Sequence, residues 1–433
     1  MKKLSALLLF MLLTTGAFAQ GWTFNGYFPD TTHYRFSTGG HGVAVDPYGR
    51  IWFAPFASNA DSIWNGNAWV KCGALFCFNP DGTQASFSPI KVFVGPGVSP
   101  DSLVANTGRG LKAHPDGDIL ATFFDFTHKI DYKTGLSKGK LRNTIGASGV
   151  ANAVDGNGNF FTANVAPGNP IKIWDPSFNF LGNAVDSSVG FSRSFEVGAD
   201  GNTIYWAGYT NHAILKYTRP DEFSPFTVTD TILKGFDSES FGWNRKYNLL
   251  WASSGSNNDL PNRYPGATTF WANRAWYAYD PVSGEIKDSL LWNMYPGATD
   301  SRPRGISFTA SGDTAYVTCF GSANYPPIER FINPNPSSIK DLGMNVEDFK
   351  LFQNYPNPFN PSTEIRFSLK SAGFTTLKVY DILGKEVATL VSENLNSGMY
   401  AYSFDASKLA SGTYIYEVVS NNVRLTNKML LMK

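Results

Sequence analysis

Three arginines, a histidine, a glutamate and a serine stand at one shared offset in six copies of a recurring phrase: His41, Arg109, Ser148, Arg193, Glu239 and Arg304. If the copies fold alike, these six polar groups converge on one opening. Guanidinium forks match carboxylate or phosphate oxygens two at a time, so the chemistry they suggest is anion binding, with Ser148 on the same rim. Glu239 then either holds an arginine in place or serves as acid/base partner to His41, the two candidates for catalysis. The plainer reading is that the arginines cap strand carbonyls or pair with Glu239 around a wet opening. A second set, Asp125, Asn164, Asn211, His212, Ser254 and Asn257, follows the second strand of several copies. One carboxylate with amide oxygens could hold calcium, but no Asp-rich twelve-residue loop is present and the expectation is no cofactor and no metal site. Trp64, Trp69, Tyr264, Trp271 and Trp276 crowd two insertions, as sugar-stacking platforms or, more plainly, as packing. Nucleophile-elbow and zinc-protease motifs are absent from the sequence.

The phrase itself is a small residue, alternating apolar positions, a turn and a short apolar strand. It begins at Gly42, Gly110, Gly149, Ser194, Ser240 and Gly305. Asp116-Gly117, Asn157-Gly158 and Asp200-Gly201 supply the positive φ of tight hairpin turns. A second hairpin usually follows, giving four strands per repeat. The starts are spaced by 68, 39, 45, 46 and 65 residues; the middle values suit a propeller blade of roughly 40–50. The longer ones require insertions at Pro55 to Cys72 and Ser254 to Ala275, with Phe87 to Thr107 also long. One such unit cannot bury both faces, so six must close radially. Closure needs Trp22 to Phe28 as the outer strand beside Ile328 to Ile332.

Bulk composition agrees. The 433 residues carry 15% aromatics, 41 Gly and 25 Pro but only 16% charged residues, and no amphipathic helical period appears after the leader. A formal charge of +1 removes any bulk electrostatic case for nucleic acid. Lys2 and Lys3, the apolar run Leu7 to Leu13 and Ala17-Phe18-Ala19 read as a signal peptide cleaved after Ala19. Cys72, Cys77 and Cys319 are too few for a disulfide framework. Cys72 and Cys77, read as opposite-parity positions on one strand, would face apart.

The phrase resembles the six-bladed NHL, streptogramin lyase and gluconolactonase-like propellers over residues 20–333. From Asn333 to Lys350 the composition is that of a linker. Beyond it, six alternating strands between Glu364 and Met432 suit a small antiparallel β-sandwich (Ig-like) over 351–433. Tyr355-Pro356-Asn357-Pro358-Phe359, the stretch around Gly384, the Gly412 strand and a basic ending with Lys428 and Lys433 resemble the type A C-terminal sorting domain of the type IX secretion system. That resemblance implies entry by the Sec machinery, recognition by the outer-membrane translocon and removal by a sortase. The cargo is then released or joined to anionic lipopolysaccharide, so the protein is secreted or held at the outer-membrane surface.

The whole is therefore expected to be all-β: leader, six-bladed β-propeller, linker and sorting domain. The propeller reads as a module for a small-molecule or protein ligand. The alternative is a lyase or hydrolase acting on an anionic substrate at the same opening, with His41 as base; a third is a spacer or adhesin.

Overall fold

The computed structural model describes residues 21–29, 39–142, 148–254, 264–265, 271, 275–291, 302–321, 328–333, 349–354, 356–369, 373–395, 398–421 and 423–433. The signal peptide, Asn257, Tyr355 and nearly all of the expected linker lie outside those residues. Among the described residues the protein is all-β, built from many small antiparallel sheets. It divides into two compact units, residues 1–336 and 337–433.

The first unit contains six sheets in chain order, each a meander. They begin with strands Gly40–Val45, Gly108–Ala113, Ala153–Val154, Phe195–Val197, Phe241–Asn244 and Arg302–Phe308. Five sheets have four strands; the first has three, because the chain leaves it after Phe76–Phe78. The insertions then form hairpins of their own, Asp61–Trp64 with Trp69–Cys72 and Val92–Gly95 with Val98–Ser102. The sixth sheet takes its outer strand from the other end of the chain, Thr23–Phe28 against Ile328–Ile332, the pairing expected from the sequence.

Why the phrase opens on a small residue is visible in how the six first strands meet. A Cβ at Gly42 would lie 2.6 Å from the Leu111 nitrogen, and one at Gly110 would overlap the Cβ of Ala151. Ala151 bridges Ser194, and the Ser194 hydroxyl accepts a hydrogen bond from Phe241 N at 3.2 Å. Gly242 lies against Ile306, and Gly305 against Val43. The contacts thus run from the first sheet round to the first again. All six first strands also line one cavity of about 50 Å³, room for a few water molecules. Lys112 crosses it to pair with Glu196 and donates to the Phe241 carbonyl at 3.0 Å.

Apolar clusters fill the spaces between successive sheets, with Trp52, Trp206, Trp251 and Trp276 fully buried among them. All three cysteines are buried. Cys72 ends one strand and Cys77 lies in another, so the one-strand parity expected above does not apply. The second unit has two sheets, one with strands Lys350–Leu351, Ser362–Leu369 and Gly398–Asp405. The other has Glu386–Leu395, Gly373–Asp381, Gly412–Ser420 and Val423–Leu431. Both contribute to a single apolar cluster that includes Phe359, Phe367, Val379, Tyr416 and Leu431.

Gly110 is the most confined of the small residues, with φ at 156° and no space for a methyl group. Gly110→Ala is expected to cost about 1–3 kcal/mol through overpacking, measured by denaturant unfolding. An unchanged midpoint would show that the first strands do not constrain one another.

Candidate functional site

The offset that carries the six polar residues is also where the first strands depart from regular pairing. Gly40 faces Pro55 and Gly42 faces Ala54, so His41 is an extra residue between them. Arg109 is extra in the same way between Gly108 and Gly110, and Arg304 between Pro303 and Gly305. A one-residue bulge of this kind turns a side chain away from the face its parity dictates. In the fifth sheet the Ser253 hydroxyl plays a similar local part, accepting from Glu239 N at 3.2 Å and Ser240 N at 3.0 Å.

Five of the six residues come together. The Arg304 guanidinium lies in charge contact with the Glu239 carboxylate without an aligned hydrogen bond, and Arg193 Nε is 3.9 Å from the same oxygen. His41 is buried among Arg304, Arg109 and Arg193. Ser148 is held by backbone bonds, from its N to Phe124 O at 2.9 Å and from Val165 N to its O at 3.1 Å. It does not join the charge cluster.

Electrostatics follow from burial. Desolvation first, then the charges of Arg304, Arg109 and Arg193, hold the His41 imidazole well below its ordinary range, so it is neutral. Burial, followed by repulsion from Arg193, brings Arg109 down to about 10, which still leaves it charged at neutral pH. Arg193 is lowered by burial and then by Arg302. Three guanidiniums face one carboxylate, an excess of two positive charges. The buried Nε atoms of Arg109, Arg193 and Arg304 have no hydrogen-bond partner.

Sequence reasoning missed the rings behind these charges. Arg109 lies over Phe56 at 5.1 Å and Phe124 at 4.9 Å, Arg193 over Phe191 at 5.0 Å and Arg304 over Phe320 at 5.4 Å. His41 packs against Phe56 at 5.1 Å. Phe56, Phe124 and Phe320 all sit at or just past the end of a second strand, a recurrence legible in the repeats.

Among the described residues no group of three or more His, Cys, Asp or Glu side chains is placed to hold a metal ion, and the described members of the second expected set bond elsewhere. Asp125 accepts from Asn106 Nδ2 at 2.8 Å, and Asn164 Oδ1 accepts from Ala166 N at 2.9 Å. Asn211 Nδ2 reaches Val189 O at 3.4 Å, His212 pairs with Asp237, and the Ser254 hydroxyl bonds the Ala275 backbone. Of the aromatic group, Trp276 is buried, Trp271 donates to Lys234 O at 3.0 Å, and Lys234 lies over Tyr264. Trp64 and Trp69 are exposed, edge to face at 6.0 Å on their hairpin.

Elsewhere, Ser137, His128 and Asp101 line up in the order of nucleophile, base and carboxylate. His128 Nδ1 is 2.7 Å from Ser137 Oγ and Nε2 is 3.0 Å from Asp101 Oδ2. All three are buried, and Asp101 also takes Lys140 and Arg142. The group clasps the 92–102 hairpin to the outer edge of the second sheet and offers no approach to a substrate.

In the tail, the residues singled out at its opening are tied to its end. Phe359 N donates to Leu430 O at 2.9 Å and Met432 N to Phe359 O at 3.0 Å, while Asn357 Oδ1 accepts from Leu430 N at 2.8 Å. The Pro356 carbonyl accepts from Asn354 and Thr363. Lys433 Nζ donates to Ser407 O at 2.6 Å, and Lys428 O accepts from Gln353. Residues 353–432 match the family of the secretion system C-terminal sorting domain. The protein is exported by type IX secretion, to the cell surface or the extracellular space. Its tail therefore engages the type IX machinery.

For the chain as a whole the likenesses are distant. A protein of unknown function from Bacteroides caccae is 13% identical, covering 60% of this chain and 83% of its own, with a TM-score of 0.40. A putative 6-phosphogluconolactonase from Bacteroides uniformis is 10% identical, with coverage of 64% and 77% and a TM-score of 0.39. An auxiliary nutrient binding protein from Bacteroides ovatus is 10% identical, with coverage of 72% and 76% and a TM-score of 0.43. No curated protein matches the chain.

Two substitutions test the electrostatics. Glu239→Gln strands the buried Arg304 charge and is expected to cost about 3–5 kcal/mol, most of it recovered in Glu239→Gln/Arg304→Met. Equal stability of the single variant and the parent, by denaturant unfolding, would refute the pairing. For His128, burial lowers the folded pKa to about 4 against an ordinary 6.5. The fold thus favours the neutral ring: its contribution is complete above pH 6.5 and is lost as pH falls towards 4, in all about 3 kcal/mol. His128→Gln should flatten the acid limb of stability between pH 7 and pH 4 by that amount; an unaltered limb would assign acid sensitivity to other groups.

Proposed function

We propose that the first unit is a closed six-bladed β-propeller whose opening binds an anionic ligand, exported by an Ig-like sorting domain at its end. The observation that carries this reading is the half-buried excess of guanidinium over carboxylate. Arg109 and Arg193 are partly desolvated and backed by phenyl rings, and the one carboxylate near them, Glu239, lies against Arg304 and is shared with Arg193 at 3.9 Å. Exposed arginines would be solvated at little cost; buried ones with free Nε–H groups gain most from an incoming oxyanion. Arg304 and Glu239 brace the floor, His41 lies beside them, and Ser148 stands apart on its own hairpin edge. The suppressed basicity of His41 favours binding over proton abstraction, because a base must hold its proton near the working pH.

The circuit of close contacts among first strands and the cavity they share support the closed propeller. The leader at 1–19 would bring the chain to the periplasm by the Sec route. A sortase cut in 334–350 would then free the cargo or join it to lipopolysaccharide.

The test is a thermal-shift titration of the purified protein with sulfate, phosphate and small carboxylates, beside Arg109→Ala/Arg193→Ala. A saturable rise in melting temperature that vanishes in the double variant is expected; an anion present at 100 times its Kd stabilises by about 2.7 kcal/mol. Equal shifts in parent and variant, or none in either, would overturn the anion reading.

A further inference from the structure

The tail holds two large aliphatic side chains out of its core. Ile382 and Leu383 are 71% and 89% exposed, and neither belongs to the apolar cluster on which both sheets of the second unit draw. They form the tip of the tight turn between strands Gly373–Asp381 and Glu386–Leu395. The turn fixes their position. Asp381 Oδ1 accepts from Leu383 N at 2.9 Å and from Lys385 N at 3.0 Å, and Gly384 supplies a φ of 80°.

Nothing in this turn calls for aliphatic residues. The same pair of aspartate bonds, to the nitrogens two and four residues on, recurs at Asp46, Asp155 and Asp175 in the first unit. There the two tip positions hold Pro47-Tyr48, Gly156-Asn157 and Pro176-Ser177. Tyr48, the one large ring among them, packs on Tyr132 and carries Arg50. At Ile382 and Leu383 the gain from burying two aliphatic side chains is left unrealised in the tail itself.

Strand register extends the patch. Tyr380 faces Ile415 and Thr413 faces Leu430, at the end of the sheet from which the turn projects. Tyr414, Tyr416, Met429 and Leu431 are buried, so Ile415 and Leu430 stand on the outer face as diagonal neighbours, both exposed. Grouped exposed apolar side chains mark an interaction surface, and this segment is the one that engages the type IX machinery. We propose that Ile382 and Leu383, with Ile415 and Leu430 beside them, are the contact by which the folded tail docks into an apolar cleft of that machinery.

The test is export of the full protein from a host with an active type IX system. The readout is the fraction in the medium and on the cell surface against the fraction held inside the outer membrane. Each aliphatic buried on docking strengthens binding by about tenfold or more, so Ile382→Ser/Leu383→Ser is expected to cut export by at least about that factor. Ile382→Val/Leu383→Met, which keeps the tip apolar, should export as the parent does. So should Phe374→Ser, which removes an exposed ring at the opposite end of the strand that leads into the turn. The purified serine variant should melt with the parent, since the side chains it loses lie in water. Parental export by the serine variant overturns the proposal, as does failed export by the Val/Met variant or an equal loss in Phe374→Ser. A lowered melting temperature in the serine variant, or a parent dimer in sedimentation that this variant loses, overturns it too. Either result would give the tip to a contact within this chain or between two copies of it.

Discussion

The six first strands can pack as closely as they do only if the residues where they meet are nearly without side chains. Gly42, Gly110, Ala151, Ser194, Gly242 and Gly305 fill that role, each within van der Waals or hydrogen-bonding reach of the next sheet. Packing this close leaves no latitude: a single methyl at Gly110 would collide with Ala151. The narrow centre is what allows Lys112 to reach Glu196 across it.

The same constraint governs where charge can go. Strand parity alternates, and a side chain beside the small residue would normally point into the space between sheets, which is apolar. The bulges at His41, Arg109 and Arg304 break that alternation, and the three side chains come together with Arg193 and Glu239. Once there they lie too deep for full solvation. Glu239 meets one of the resulting charges, the phenyl rings soften the others, and His41 stays neutral because a fourth positive charge would be unsupported. Neutrality at His41 and excess charge at Arg109 and Arg193 are thus one electrostatic condition viewed from two residues.

Much of this was legible in the sequence. Turn pairs such as Asp116-Gly117 and Asp200-Gly201 marked the first hairpins, and the phrase placed a polar residue at a constant offset in each repeat. The strand Thr23–Phe28 could be matched to Ile328–Ile332 because a sixth repeat lacked its outer edge. What pattern reading could not supply was long-range. Nothing local says that the chain after Phe78 leaves the first sheet, or that Val98–Ser102 returns Asp101 to His128. Cys72 and Cys77 seemed to share a strand because the break between them, at Gly73 and Ala74, carries no strong turn signal. Ser148 shared the offset but not the company, since its strand pairs Gly149 with Asn164 and leaves Ser148 bonded to Val165 without a bulge.

The tail obeys a different logic. Its recurring residues lie at its two ends in sequence but at one place in space. Phe359 is buried in the core and exchanges backbone hydrogen bonds with Leu430 and Met432, while Asn357 and Gln353 bind the same final strand. Neither end can adopt this arrangement until the other has been made. A machinery that reads the joined ends therefore reads the whole fold, and a chain truncated before Leu430 loses the partner of Phe359 along with its last strand.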